Sequence, residues 1–479
     1  MNWKRILFLT HRWIGIGMCL LFALWFASGI VMMYVDYPEL TYAESVAAHP
    51  DLQRNRVALT PFEAARQAGE ITDWQSASLA MLADRPVYRL RATDGRSATI
   101  FADTGERMER LGEQGALAVA AASGLRSGAA EPEHLGLIEV DQWTITGSLN
   151  PSRPLHKVAL NDSAGTVLYI SERDGRVVRD TTGRERFWNW PGSTVHWIYP
   201  LAIRQFSGFW LQLIIWLSMI GLVSVVTGTV IGLLQLHPFA RNGDRGASPY
   251  TGVMKWHHIG GLCCVVIIAA FLFSGLMSVS PWGVFAPATS PLPQIAGYQG
   301  QLSLRLSDFS VPAPADESVR EVNWLYLGGE PYSVSTIASG ARLPDFGPDR
   351  PKDIAARISG AAPLLLPNAE LTSLELLESH DDYYYSRHFM QQPLPAYRAR
   401  FDDAEATWYH IDANTGEIVN RLTRRGRLER WLFNGLHSLD FQFLRDSRPL
   451  WDLTVILLSL AGLGFSITSI VIGWRRLVR

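Results

Sequence analysis

The chain has 479 residues, 48% of them hydrophobic, with 43 Lys/Arg against 45 Asp/Glu and a net charge of -2. It is too long for a single hydrophobic core and too apolar for an ordinary soluble enzyme. Part of it belongs in lipid, and no nucleic-acid partner is expected.

Four stretches lack charge over a bilayer's length: 13–35, 207–236, 259–280 and 453–474. Each meets the roughly 20-residue requirement of a spanning helix. In chain order the sequence reads as an N-terminal segment with the first spanning helix (1–35), a polar region (36–206) and a second helix (207–236). A short connection (237–257), a third helix (258–280), a second polar region (281–452) and a fourth helix with its tail (453–479) follow. The short ends and connection hold Lys4, Arg5, Arg12, Arg241, Arg245, Lys255, Arg475, Arg476 and Arg479 against one acid, Asp244. The positive-inside rule makes these segments, and both termini, cytoplasmic, so the polar regions are exported across the membrane. The small residues of FASG (26–29) also suit a cleaved signal peptide, but the apolar run is long for one.

The three cysteines, Cys19, Cys263 and Cys264, all fall inside the apolar stretches, so the exported regions hold together by packing rather than disulfides. CxxCH is missing, which excludes covalent c-type haem. HExxH, GxxxxGK[ST] and a strand-placed GxGxxG are missing too, which leaves no zincin, P-loop or dinucleotide site.

An internal repeat organises the chain. At an offset of 246, HRWIGIGMCLLFALWFASG (11–29) falls on HHIGGLCCVVIIAAFLFSG (257–275), matching His11 with His257, Gly15 with Gly261 and Ser28-Gly29 with Ser274-Gly275. At an offset of 241, His196 falls on His437, Arg204 on Arg445, Trp210 on Trp451 and Thr227 on Thr468. The fold class is therefore an α+β membrane protein, with four transmembrane helices in two helix-domain-helix repeats.

Of twelve histidines, the repeat singles out four as two pairs. Duplicated units packed about a pseudo-two-fold bring equivalent positions face to face. His11 then meets His257 at the inner surface, and His196 meets His437 at the outer one. Two opposed imidazoles are what a haem iron needs axially, and Gly15, Gly17, Gly260 and Gly261 leave room for a flat macrocycle. Zinc would need further ligands, and none is at hand. These four residues are the candidate metal and cofactor ligands, for two b-type haems; no catalytic side chain stands out. For any one of them the plain alternative is an interfacial anchor, a role Trp, Tyr, Lys or Arg would fill equally well. His237 and His258 lack repeat partners. Adjacent helical residues point about 100° apart, so only one of His257 and His258 faces the seam, and which one stays open. His196 lies too far before the second helix for an unbroken spiral, and breakers at Pro200, Gly208 and Pro449 let 193–206 and 436–448 fold back over the bundle. Trp190, Trp197, Tyr199 and Trp431 then line the outer surface or form an aromatic belt.

At HRWIGI, KWHHIGG and LHSLDF, each tied to an apolar helix and to exported stretches ending in a D-x-x-G turn, the sequence resembles the PepSY-associated transmembrane proteins. The resemblance spans nearly the whole chain. It implies two periplasmic PepSY-like α+β domains, two b haems among four helices, and transmembrane electron transfer that reduces a ferric siderophore. The absence of a nucleotide or flavin motif leaves the electron donor as a separate cytoplasmic reductase or a membrane quinol. The competing class is a haem-free anchor whose PepSY modules bind or inhibit periplasmic partner proteins.

Within the exported regions, LTPFEAARQAG (59–69) has helical spacing behind a Thr-Pro start, and PVYRLRATDGRSATIFADTGE reads as a hairpin. The strand pattern recurs at RPLHKVALNDSAGTVLYISERDGRVV and AYRARFDDAEATWYHIDANTGEIV. DDYYYSRHFM (381–390) reads as an exposed strand, or as a grip on an anionic or aromatic ligand through Arg387 and His388.

Overall fold

A computed structural model describes residues 3–70, 73–128, 130–236, 247–284, 292–312, 318–347, 353–387 and 390–478. His237, Arg241, Asp244, Arg245, His388 and Arg479 lie outside the described residues. The chain is a mixed α+β protein divided into two compact units.

One unit comprises Met1–Tyr37, Phe187–Pro287 and Arg425–Arg479. Its four long helices are α1 (Trp3–Met32), α2 (Ser207–Gln235), α3 (Gly252–Ser278) and α4 (Leu450–Leu477), each long and apolar enough to cross a bilayer. This is the architecture of a multi-pass membrane protein. α1 starts well before the uncharged stretch at 13, and α3 before 259, because hydropathy marks the lipid-crossing part of a helix whereas its backbone ladder runs on through charged residues. Around the bundle, α1 packs on α4, α4 on α3, α3 on α2 and α2 on α1, so α1 and α3 face each other across the diagonal. Small residues permit the close approaches. A Cβ on Gly221 would lie 3.2 Å from Phe22 and 3.3 Å from Leu272, and one on Gly462 would strike Phe26. Leu20, Val226, Val266 and Leu457 stay exposed, as suits lipid-facing positions.

The other unit comprises Pro38–Arg186 and Ala288–Arg424 and carries three antiparallel sheets. The first polar region contributes β1 (Trp74–Leu82), β2 (Arg85–Ala92) and β3 (Ser97–Phe101), then β4 (Glu133–Ile138), β5 (Leu155–Ala159), β6 (Val167–Ser171) and β7 (Val177–Thr181). The second contributes β8 (Val319–Leu327), β9 (Glu330–Ile337), β10 (Arg342–Asp345), β11 (Leu371–Leu377), β12 (Ala396–Phe401), β13 (Trp408–Asp412) and β14 (Ile418–Leu422). The two regions, separate in sequence, join in one six-stranded sheet of order β10-β9-β8-β1-β2-β3. Its central pair places Ala77 opposite Trp324 and Ala80 opposite Glu321. Two four-stranded sheets, β4-β5-β6-β7 and β11-β12-β13-β14, complete the pattern once per repeat.

Local chemistry explains these elements. Thr60 caps the helix Pro61–Gln67, its side chain accepting from the Glu63 amide while the Glu63 carboxylate returns the bond. The turns joining β6 to β7 and β13 to β14 need glycine: Gly175 (φ 67°) and Gly416 (φ 76°) are left-handed, and any Cβ there would run into Leu82 and Leu327 respectively. Segment 381–387 is a bent loop rather than an exposed strand. Tyr384 is fully buried and donates to the Pro393 carbonyl at 2.7 Å, and Asp381 pairs with Arg398 at 2.7 Å. Burying a tyrosine whose hydroxyl finds a carbonyl outweighs strand alternation in that segment.

Candidate functional site

Both sequence-derived histidine pairs come together within the helical unit. The His11 and His257 rings lie 6.4 Å apart between centroids, with planes inclined 38°, and the His196 and His437 rings lie 6.0 Å apart at 73°. Ser28, which holds His196, lies 17 residues beyond His11 on α1, about 26 Å along the helix. The pairs therefore occupy opposite ends of the bundle.

The return of His196 to α1 depends on the predicted breaks. Trp190–Thr194 is a wide π-turn, Leu201–Arg204 a single short turn, and α2 begins only at Ser207. Its counterpart reads Trp431–Gly435, Gln442–Arg445 and Leu450. Two residues after each histidine, Ile198 (φ 51°) and Leu439 (φ 50°) occupy the left-handed region that branched and bulky side chains avoid. The same costly conformation at equivalent positions marks a turn maintained for what it positions.

Hydrogen bonds set the protonation of all four rings. His11 Nδ1 meets the Ser224 carbonyl at 3.0 Å and His196 Nδ1 meets the Trp25 carbonyl at 3.1 Å; a carbonyl only accepts, so the proton sits on Nδ1. His437 Nδ1 meets Ser274 Oγ at 3.0 Å, and that hydroxyl already donates to the Ala270 carbonyl at 2.6 Å, so its oxygen must accept. His257 Nδ1 lies 3.2 Å from Thr468 Oγ1 and 3.3 Å from Ser469 Oγ, which both donate to the Phe465 carbonyl. Every Nε2 therefore carries a lone pair, and none has a hydrogen-bond partner among the described residues. An imidazole fixed by its Nδ1 proton and open at Nε2 is the form that ligates metals.

His258 is built differently. Its Nε2 donates to the Gly232 carbonyl at 2.8 Å and its Nδ1 takes the Ser248 hydroxyl at 2.8 Å, in a buried position beneath Tyr250. Both nitrogens are used, so His258 pins the end of α2 to the start of α3 and leaves the seam to His257.

Around the second pair lies a cavity of about 520 Å³, lined from both halves by His196, His437, Trp25, Phe271, Gly29 and Gly275 among others. Cβ atoms on Gly29 and Gly275 would each lie 3.5 Å from the Cε1 of their histidine. The lining is mostly aromatic and aliphatic, which suits a flat apolar group. Beside the first pair the four glycines divide. Gly15, one turn from His11 and half-buried, faces open space. Gly17 points outward, Gly260 meets nothing, and Gly261 is closed by Phe465, which stacks on His257 at 4.8 Å.

The spacing also fits a shared metal: two metal–imidazole bonds of about 2 Å each, added to the ring radii, put centroids roughly 6 Å apart. Among the described residues no three His, Cys, Asp or Glu converge as a metal site. Two imidazoles fall short of a bare zinc ion's four ligands, whereas a haem iron takes only its axial ligands from the protein.

Other aromatics sort by position. Trp197 and Tyr199 line the cavity, and Trp210 Nε1 donates to the Trp197 carbonyl at 2.8 Å, as Trp451 does to Ser438. Trp190 is exposed, and Trp431 packs on Phe441 under the Arg430 guanidinium. The hydroxyl holders Ser28, Ser274, Thr227 and Thr468 were visible in the repeat alignment, but nothing in the sequence tied them to histidines about 200 positions away. Comparison with protein-family models and with curated proteins finds no match.

Proposed function

We propose that the chain is an inner-membrane oxidoreductase that holds two b-type haems, His11 with His257 and His196 with His437 as axial ligands, and reduces a periplasmic acceptor of the ferric siderophore class. The observation that carries this reading is the duplicated ligand geometry: two pairs of Nδ1-protonated imidazoles with free Nε2 atoms, about 6 Å apart in each pair and near opposite ends of the bundle. Haem, when bound, supplies a reversible one-electron carrier. The chain's own residues fix the ring tautomers, exclude water from the apolar cavity, and keep the two sites apart. The positive-inside rule, applied to the basic segments flanking the four helices, supports a periplasmic location for the sheet-bearing unit, read as PepSY-like. The reductant is a cytoplasmic reductase or quinol.

Pyridine haemochrome analysis of purified protein tests this directly, with two haems expected per chain and an α-band in the reduced-minus-oxidised spectrum. A fully folded preparation without haem would instead favour a membrane anchor presenting binding modules. Chemically reduced protein that reoxidises with other acceptors but with no ferric siderophore would overturn the acceptor class alone.

A further inference from the structure

The two halves differ in charge beside the cavity. In the second half, Arg448 lies over Trp451 at 5.0 Å and pairs with Asp452 at 3.8 Å, while Arg445 pairs with Asp440 at 3.7 Å and Asp446 at 3.6 Å. In the first half, Arg204 is the counterpart of Arg445. It lies 5.1 Å from the Tyr199 ring centroid and 4.7 Å from that of Trp210, two rings that wall the cavity. The repeat positions of the three aspartates are here Tyr199, Gln205 and Leu211. Among the described residues Arg204 has no carboxylate partner, and its Nε is buried without an acceptor.

A guanidinium laid on two ring faces keeps its planar fork pre-organised and partly desolvated. A buried donor left without an acceptor is a standing penalty that a bound anion relieves. Carboxylate is the best match, because two parallel oxygens fit the fork and its charge replaces the missing aspartates.

We propose that Arg204, laid over two rings that wall the cavity, is a carboxylate-binding residue, receiving a carboxylate of the molecule bound there. This rests on the di-haem reading where the carboxylate is a haem propionate. The same chemistry could be presented by a carboxylate-bearing ferric chelate arriving from solution.

The test uses full-length His11→Ala protein, which keeps only the His196–His437 pair, loaded with haem or with haem dimethyl ester, whose carboxylates are masked. Binding is followed by absorbance. Haem is expected to bind about tenfold or more tighter than the ester, the effect of a charge-assisted hydrogen bond. Arg204→Gln should remove that preference and lower the midpoint potential, since a lost cation disfavours the more negative reduced state, and Arg204→Lys should restore part of both. If the carboxylate comes from solution, haem and ester bind alike, and Arg204→Gln in the otherwise unaltered protein raises KM for a carboxylate chelate but not for a neutral one. Equal binding together with an unchanged KM overturns the proposal while sparing the di-haem reading. So does an Arg204→Gln effect confined to thermal stability in anionic-lipid nanodiscs, which would assign the residue to a lipid phosphate. Failure to bind either porphyrin would sink the di-haem reading itself.

Discussion

Gly228→Ala isolates the placement of His11. A Cβ at this position would lie 2.5 Å from His11 Cε1, 3.1 Å from Nδ1 and 3.3 Å from Nε2. Carbon contacts settle near 3.5–4.0 Å, so the ring must retreat by about 1 Å. The backbone of α2 cannot yield in mid-helix, so the retreat stretches the 3.0 Å bond to Ser224 beyond hydrogen-bonding range. Overpacking of this kind costs about 1–3 kcal/mol, and the lost bond roughly 1 kcal/mol more. The repeat position in α4 is Ser469, whose Oγ stands 3.3 Å from His257 Nδ1, so a side chain is tolerated where the ring is held by hydroxyls. A 1 Å displacement is half of a metal–nitrogen bond, so the proposed inner haem should be lost or become five-coordinate while the outer one persists. Haemochrome content and difference spectra of purified Gly228→Ala report this. Gly464→Ala, where a Cβ meets nothing, serves as the control. A Gly228→Ala protein with two haems, unaltered spectra and unaltered midpoints would refute the placement of His11.

Three further outcomes are expected. His11→Ala removes only the inner haem and His437→Ala only the outer, because ligation is local and the sites lie about 26 Å apart; loss of both from either change in a folded protein would mean the pairs are wrongly assigned. His258→Ala lowers thermal stability by about 2–4 kcal/mol, through a cavity and an orphaned Gly232 carbonyl, yet leaves haem content unchanged. Asp180→Asn stabilises the sheet unit at high pH. Burial, with Glu44 and Glu185 nearby, raises the Asp180 carboxyl from 3.8 to about 7. A folded pKa above the unfolded one contributes stability that is complete below about pH 4 and lost as pH rises through 7. The asparagine variant should therefore gain up to about 4 kcal/mol at pH 8 and nothing at pH 4 in melts of the purified protein.

Much of this protein is decided locally and so was legible in one dimension. Four apolar runs mark spanning helices because the cost of placing charge in hydrocarbon is borne residue by residue. The strands around DG and DTG follow from alternation and turn chemistry, and the helix at Pro61 from its Thr60 cap. The duplication, read as an offset, was enough to pair His11 with His257 and His196 with His437. Tertiary structure alone decided the rest. Choosing between His257 and His258 required knowing that Gly232 and Ser248 take both nitrogens of one, while Thr468 and Ser469 take a single nitrogen of the other. Which glycine stays open beside the first pair depended on Phe465 filling the space at Gly261. The joining of β1 to β8 in one sheet was equally hidden, since either strand's alternation is satisfied by any antiparallel neighbour. These outcomes rest on partners such as Ser224, 213 positions from His11. Sequence pattern records what each residue prefers, whereas the identity of a hydrogen-bond acceptor across the bundle exists only once the helices have packed.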